Sequence, residues 1–94
     1  MAKQLEAYYS GNAAWRQNVK LALQNWRGTN QEKALLERLH GDQELAAVVA
    51  EKVGEGCLQW LDERVPALGG RKPISCLGSD NLILRLREAL MRMD

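Results

Sequence analysis

Few residues of this 94-residue sequence are of the types that perform catalytic chemistry. The single histidine, His40, could serve as a general base, and Cys57 and Cys76 could serve as nucleophiles or metal ligands. His40 stands at the expected end of a helix, where the helix dipole favours a cationic side chain. Two cysteines without a second pair or a nearby histidine do not make a zinc site, so we expect reduced, buried thiols.

The other candidates for catalysis are a carboxylate pair and a glycine pair. Asp62 and Glu63 are adjacent on an expected helix and point in different directions, which favours two solvated side chains over an acid/base couple. Gly69 and Gly70 alone are too short a motif for a phosphate-binding loop, and the sequence contains no P-loop, dinucleotide-binding, HExxH or EF-hand motif. We therefore expect no catalytic, cofactor-binding or metal site, and a protein that is not an enzyme.

The composition is that of an ordinary globular chain. Thirteen Lys and Arg against 12 Asp and Glu give a net charge of +1, with 46% hydrophobic and 27% charged residues. Bulk charge therefore identifies no partner. No apolar run reaches the ~18 residues of a membrane span, and the first residues lack the apolar core of a secretory signal. We expect a cytoplasmic protein with one domain over residues 1–94.

Capping and breaking residues divide the chain into helices and predict an all-α fold, a single compact domain of five or six short helices. The expected helices cover about 3–9, 12–28, 29–41, 42–53, 57–65 and 80–93, with one further helical turn at 73–78. Asn12 is expected to cap the second helix. Thr29 and Glu32 form a capping-box pattern, and Asp42 is expected to cap the central helix.

The last helix has a clear apolar periodicity and carries much of the basic charge. Leucine, alanine and methionine recur at helical spacing and predict its buried face: Leu82, Leu86, Ala89, Leu90 and Met93. Arg85, Glu88 and Arg92 are expected on its outer face. With Arg71, Lys72 and Arg87, the two arginines form a basic set that fits a solvated surface first and an acidic groove on a partner protein second.

Nucleic-acid binding stays an alternative. Residues 44–63 offer a weak helix-turn-helix, with a glycine at Gly54 where the turn would lie. Its second helix would expose Asp62 and Glu63 with Arg64 as the sole cation, and carboxylates facing phosphates are unfavourable.

The most informative stretch is residues 60–73, WLDERVPALGGRKP. Prolines and glycines here predict a rigid corner between two helical segments, with a Pro/Gly-rich centre at 66–73 in which Leu68 fills the core and Arg71 projects. Six residues are expected to define this corner: Trp60, Leu61, Pro66, Gly69, Gly70 and Pro73.

The same stretch resembles the C-terminal toxin-binding domain of the Xre/MbcA/ParS family of antitoxins. The family pattern of a Trp–Leu pair, a proline, a Leu-Gly-Gly-Arg run, a further proline and a closing leucine-rich helix is similar to Trp60–Leu61, Pro66, Leu68–Arg71, Pro73 and Leu82–Met93. The resemblance covers residues 46–93. Residues 1–45 contain no clear helix-turn-helix, which many family members place ahead of this domain.

The resemblance implies a bacterial protein that binds and neutralises a cognate toxin, typically a RES-domain enzyme that consumes NAD, and that often forms a homodimer. The residues expected to contact the partner are Arg71, Lys72, Leu68, Arg85 and Arg92. Arg71 is the foremost of them, because a guanidinium on a rigid turn loses little entropy on binding. A small DNA-binding regulator and a phage or mobile-element adaptor for another host protein are the competing hypotheses.

Overall fold

The computed structural model describes residues 5–93 and shows an all-α fold, as predicted. Its five α-helices are α1 (Asn12–Gln24), α2 (Asn30–Arg38), α3 (Gln43–Val53), α4 (Cys57–Trp60) and α5 (Asp80–Met91). Four 3-10 segments join or precede them: Leu5–Tyr8, Gly54–Gly56, Pro66–Leu68 and Pro73–Gly78. The helix start expected at Lys3 lies outside the described residues. None of the described helices combines the length and apolarity needed to cross a membrane.

The starts of α2 and α3 are fixed by the side chains that the sequence indicates. The Thr29 hydroxyl accepts from the Glu32 amide at 3.1 Å, and the Glu32 carboxylate accepts from the Thr29 amide at 2.8 Å, so the capping box is confirmed. The Asp42 carboxylate accepts from the Leu45 amide at 3.1 Å. At the start of α1 the cap is Gly11 instead of Asn12, one residue earlier than predicted.

The core forms around α3, which is the central helix as expected. Five consecutive residues of α3, Leu45–Val49, are buried, because α1, α2, α4 and α5 all pack against this helix. Trp15 of α1 is buried, and its ring lies 5.0 Å from the Arg87 guanidinium of α5, within cation–π range. Trp26 is half-buried against the same core. The chain itself therefore covers Trp15 and covers part of Trp26.

Two predicted helices end at least four residues earlier in the structure than predicted. α1 ends at Gln24 and not at Gly28, with Asn25 as its C-terminal cap. α4 has only four residues and ends at Trp60, whereas the sequence predicted a helix reaching almost to Pro66. The residue before a proline is pushed out of the helical region, and Val65 is extended (φ −106°, ψ 119°), so the chain needs residues 61–64 to turn out of the helix.

The prediction that Arg85 and Glu88 lie on the outer face of α5 is wrong. Arg85 is only 8% exposed and Glu88 only 3% exposed. The segment before α1 packs on this side of α5 and covers both residues. Glu88 accepts from the backbone amide of Ser10 at 2.8 Å and from its hydroxyl at 2.9 Å, and Arg92 donates to its other oxygen at 2.8 Å. Each buried charge thus has hydrogen-bond partners, which offsets the cost of its burial.

We expect the free energy of unfolding to fall in acid, because Glu88 and Glu6 are stabilised in their ionised form. Burial disfavours the charge of Glu88, but hydrogen bonds from Arg92 and Ser10 outweigh it and leave its pKa lowered. The hydrogen bond from Arg85 likewise lowers the pKa of Glu6. Since both folded-state pKa values lie below the ordinary ~4.3 of glutamate, their stabilisation is present above that pH and is lost as the pH falls through the lowered values.

We expect the melting temperature to fall as the pH is lowered from about 5 to about 3, and to fall less steeply in Glu88→Gln. Circular dichroism at 222 nm measures both curves. Parallel curves for the two proteins would show that Glu88 is not a source of the acid sensitivity.

Candidate protein-interaction surface

The predicted corner exists and is closed by backbone hydrogen bonds. The Val65 amide donates to the Arg71 carbonyl at 3.1 Å, which makes Val65 and Arg71 an isolated antiparallel bridge. Between them Pro66–Leu68 forms a 3-10 turn, and Gly69 and Gly70 both have positive φ (69° and 78°). A side chain at Gly70 would meet no atom within 4 Å, so conformation rather than space requires this glycine.

The amides of this turn are already used. Gly69 donates to the Pro66 carbonyl at 2.9 Å, Gly70 to the Val65 carbonyl at 3.0 Å, and Arg71 to the Leu68 carbonyl at 3.3 Å. The glycine pair therefore offers no free amide to a phosphate, and its role in the structure is to shape the corner.

The second half of the corner is fixed by proline and by side chains. Pro73 is buried at the first position of the 3-10 segment Pro73–Gly78, as predicted. The Lys72 carbonyl accepts from the Ser75 hydroxyl at 2.7 Å, and the Ile74 amide donates to the Leu61 carbonyl at 3.1 Å. The chain on both sides of Arg71 and Lys72 is thus held in place.

Leu68 is a core residue, which corrects its assignment to the partner-binding set. Its side chain is 0% exposed and belongs to the core cluster that also holds Leu61 and Leu90. A partner has no surface of Leu68 to contact, so its part in any site is to anchor the corner. Trp60 is half-buried against the same cluster.

Arg85 is also corrected, because its guanidinium is engaged inside the protein. It donates to the two carboxylate oxygens of Glu6 at 2.7 and 3.0 Å, and to the Leu68 carbonyl at 3.4 Å. The Arg85 side chain therefore binds both the corner, at Leu68, and the segment before α1, at Glu6. No periodicity in the sequence signals this role, since Glu6 lies 79 residues away.

Arg71 and Lys72 are the predicted contact residues that the structure leaves available. Both are exposed, and within residues 5–93 neither side chain forms an ion pair. Arg92 is exposed too, but it lies about two turns beyond Arg85, at the C-terminal cap of α5, and is paired with Glu88. The corner thus brings together Arg71, Lys72, Leu68 and Arg85, of which the first two face solvent.

A groove that sequence reasoning missed adjoins the corner. It has a volume of about 610 Å³ and lies between α2, α4 and the segment Pro73–Gly78; its lining residues are Ala34, Glu37, Arg38, His40, Leu58 and Ile74. The helical spacing of Ala34, Glu37 and Arg38 places them on one face of α2. Only the fold brings Leu58 and Ile74 to that face, so the groove has no local sequence signal.

An ion pair joins α2 to the corner at the edge of this groove. Arg38 donates to both carboxylate oxygens of Asp62, at 2.7 and 3.3 Å, and both side chains are substantially exposed. The Arg38 hydrogen bond lowers the pKa of Asp62, and the charge of Lys72 lowers it further.

The structure also places the histidine and the two cysteines, of which His40 lines the groove. His40 is exposed in a left-handed conformation (φ 57°) after α2. Cys57 and Cys76 are buried free thiols whose pKa values are raised by burial, which disfavours the reactive thiolate. Over the described part of the chain, no three His, Cys, Asp or Glu side chains come close enough to hold a metal ion.

Comparison with protein-family models, with curated proteins and with solved structures found no match to this chain. The features available for a functional conclusion are therefore the corner, its exposed cations Arg71 and Lys72, and the groove beside them.

Proposed function

We propose that this protein is a non-enzymatic protein-binding module of the antitoxin kind, which binds and neutralises a cognate toxin in the bacterial cytoplasm. The observation that carries the proposal is the exposed pair Arg71 and Lys72, which form no ion pair within residues 5–93, on a corner whose backbone is fixed on both sides. The resemblance of residues 46–93 to the Xre/MbcA/ParS antitoxins supplies the class of partner, a RES-type toxin that consumes NAD.

A corner with a fixed backbone favours binding because it loses little conformational entropy on association. Side-chain and loop ordering costs free energy on association, and that cost is smaller where the backbone is already held. Arg71 presents a planar guanidinium, which can bind a carboxylate or carbonyl oxygen through two hydrogen bonds. Lys72 adds a second charge that strengthens the attraction to an acidic surface.

DNA binding is the alternative function, and the contacts of the basic residues weigh against it. Arg85 is paired with Glu6, Arg87 lies over Trp15, and Arg92 is paired with Glu88. Of the basic set in the last quarter of the chain, Arg71 and Lys72 are left for phosphates. The segment 44–63 also lacks a long exposed second helix, since α3 is buried and α4 has four residues. A salt-dependent shift of duplex DNA would favour this alternative.

Self-association is part of the proposal, because dimers are common in the family that the chain resembles. The large apolar side chains that are exposed among the described residues are Tyr8, Leu21 and Leu23. Light scattering on the purified protein measures the assembly state directly.

The test is recovery of the partner from the native host. Tagged protein is expected to co-purify in a fixed ratio with an enzyme that arrests growth when expressed alone and is harmless when co-expressed. Recovery of DNA only, or of a protein without toxicity, would contradict the proposal. An adaptor function would appear as a non-toxic host partner.

With that partner in hand, Arg71→Ala is expected to weaken binding by about tenfold, the loss typical of a charge-assisted hydrogen bond at an interface. Arg16→Ala on α1 is the matched control, because Arg16 is also exposed and lies on another element. Isothermal titration calorimetry measures both. Equal affinities for wild type and Arg71→Ala would remove Arg71 from the interface.

A further inference from the structure

We infer that the groove between α2 and the corner receives an apolar side chain from an acidic segment of the partner, with the partner's carboxylate directed to Lys72 and Arg71. This inference rests on the proposed function and names the chemistry that the surface would recognise. It concerns residues outside the family pattern, namely Ala34, Leu58 and Ile74.

The floor of the groove is apolar and partly open to solvent. Leu58 and Ile74 pack on the core and are only partly buried, and the short side chain of Ala34 leaves space between α2 and the corner. A volume of about 610 Å³ falls in the range of side-chain and ligand pockets. One large aliphatic or aromatic side chain inserted here would cover apolar surface that water now contacts.

The charges around the groove favour one orientation of the bound segment. Asp62 is neutralised by Arg38, and Glu37 is the acidic lining residue on the α2 side. Lys72 lies on the corner side, two residues before the lining residue Ile74, and its backbone carbonyl accepts from the Ser75 hydroxyl at 2.7 Å. A segment whose carboxylate follows its apolar residue toward the corner matches these charges, whereas the opposite orientation would bring a carboxylate to Glu37.

A second copy of this chain fits the groove poorly. Of the exposed apolar residues in the described part of the chain, Leu21 and Leu23 belong to α1, which contains Arg16 and Lys20 and no acidic residue. Tyr8 lies near Glu6, but both oxygens of that carboxylate are already bound by Arg85. Docking α1 here would place like charges beside Lys72 and Arg71. An acidic segment of a different protein is the occupant that charge complementarity selects.

The first experiment selects peptides of about twelve residues from a random phage-displayed library on the full-length protein. We expect the enriched peptides to carry a large apolar residue with Asp or Glu within about four positions of it. Ala34→Gln, which fills the groove, is expected to weaken their binding at least about tenfold. Ala13→Gln, the same change at an exposed position of α1, is expected to leave binding unchanged.

Charge is tested by a second matched pair. Lys72→Gln is expected to weaken the same peptides about threefold to tenfold, and Lys33→Gln, the same change at an exposed position of α2 that does not line the groove, is expected to have no effect. Circular dichroism confirms that each variant is folded. Enriched peptides without acidic residues, or peptides that bind Ala34→Gln as well as wild type, would overturn the inference, as would self-association that Ala34→Gln abolishes.

Experiments with the recovered partner distinguish a failure of the groove inference from a failure of the proposed function. A toxic partner that requires Arg71 but binds Ala34→Gln normally would overturn the groove inference and leave the function standing. Acidic peptides that require Ala34 and Lys72, combined with a host partner that is not toxic, would support the groove and contradict the antitoxin function.

Discussion

Leu68→Ala is expected to lower the free energy of unfolding by about 3 kcal/mol, the middle of the range for a fully buried leucine. The loss has two parts: the favourable free energy of burying the removed atoms is lost, and the remaining cavity adds a further cost. The cavity cannot collapse easily, because Pro66, Gly69 and the Val65–Arg71 bridge fix the backbone around it. Urea unfolding followed by tryptophan fluorescence measures the change in midpoint.

Leu21→Ala is the control for this substitution, because Leu21 is 51% exposed on α1. Its effect is expected to stay within about 0.5 kcal/mol of wild type. A loss below about 1 kcal/mol for Leu68→Ala would show that the corner holds its shape without its buried leucine. Partner binding by Leu68→Ala is expected to weaken as well, since Arg71 is three residues away on the same turn.

Arg85→Gln is expected to destabilise the protein by about 2–3 kcal/mol. The substitution removes a buried guanidinium that serves the Glu6 carboxylate and the Leu68 carbonyl together. Glu6 would then be a partly covered carboxylate without its cation, and removing one member of such a pair costs more than the pair itself is worth. The same urea unfolding measurement applies.

A double-mutant cycle with Glu6→Gln separates the two contacts of Arg85. If Arg85 and Glu6 are directly coupled, the double variant is expected to lose less free energy of unfolding than the sum of the two single-variant losses. Arg38→Gln is the comparison at an exposed pair, and its effect is expected to be smaller because water screens the Arg38–Asp62 attraction. Equal losses for Arg85→Gln and Arg38→Gln would show that burial adds nothing to the Arg85 contacts.

The sequence predicts the fold best where a local chemical rule is strong. Thr29 with Glu32, and Asp42, satisfy amides within three residues of themselves, so their caps depend little on the rest of the chain. Pro73 begins a helical turn and Gly69 and Gly70 adopt positive φ for the same reason: their covalent structure limits or widens the backbone choices. The corner was predictable on these grounds.

The sequence predicts less where distant segments decide the outcome. The spacing of Leu86, Ala89 and Leu90 correctly indicates one buried face of α5. The burial of Arg85 and Glu88 depends on Glu6 and Ser10, and polar residues at helical spacing ordinarily indicate solvent. The same limit applies to the groove, because Ala34 and Ile74 meet only in the folded chain.

The contacts of Arg85 also order the steps by which this chain can fold. Glu6 and Arg85 are separated by 79 residues, whereas Arg85 and the Leu68 carbonyl are separated by 17. Closing the shorter loop costs less chain entropy, so the corner and α5 can form together before the segment ahead of α1 joins them. During synthesis on the ribosome, Glu6 can contact Arg85 only after residue 85 has been made and has left the exit tunnel. The contact between the last helix and the first residues described is therefore expected to form late.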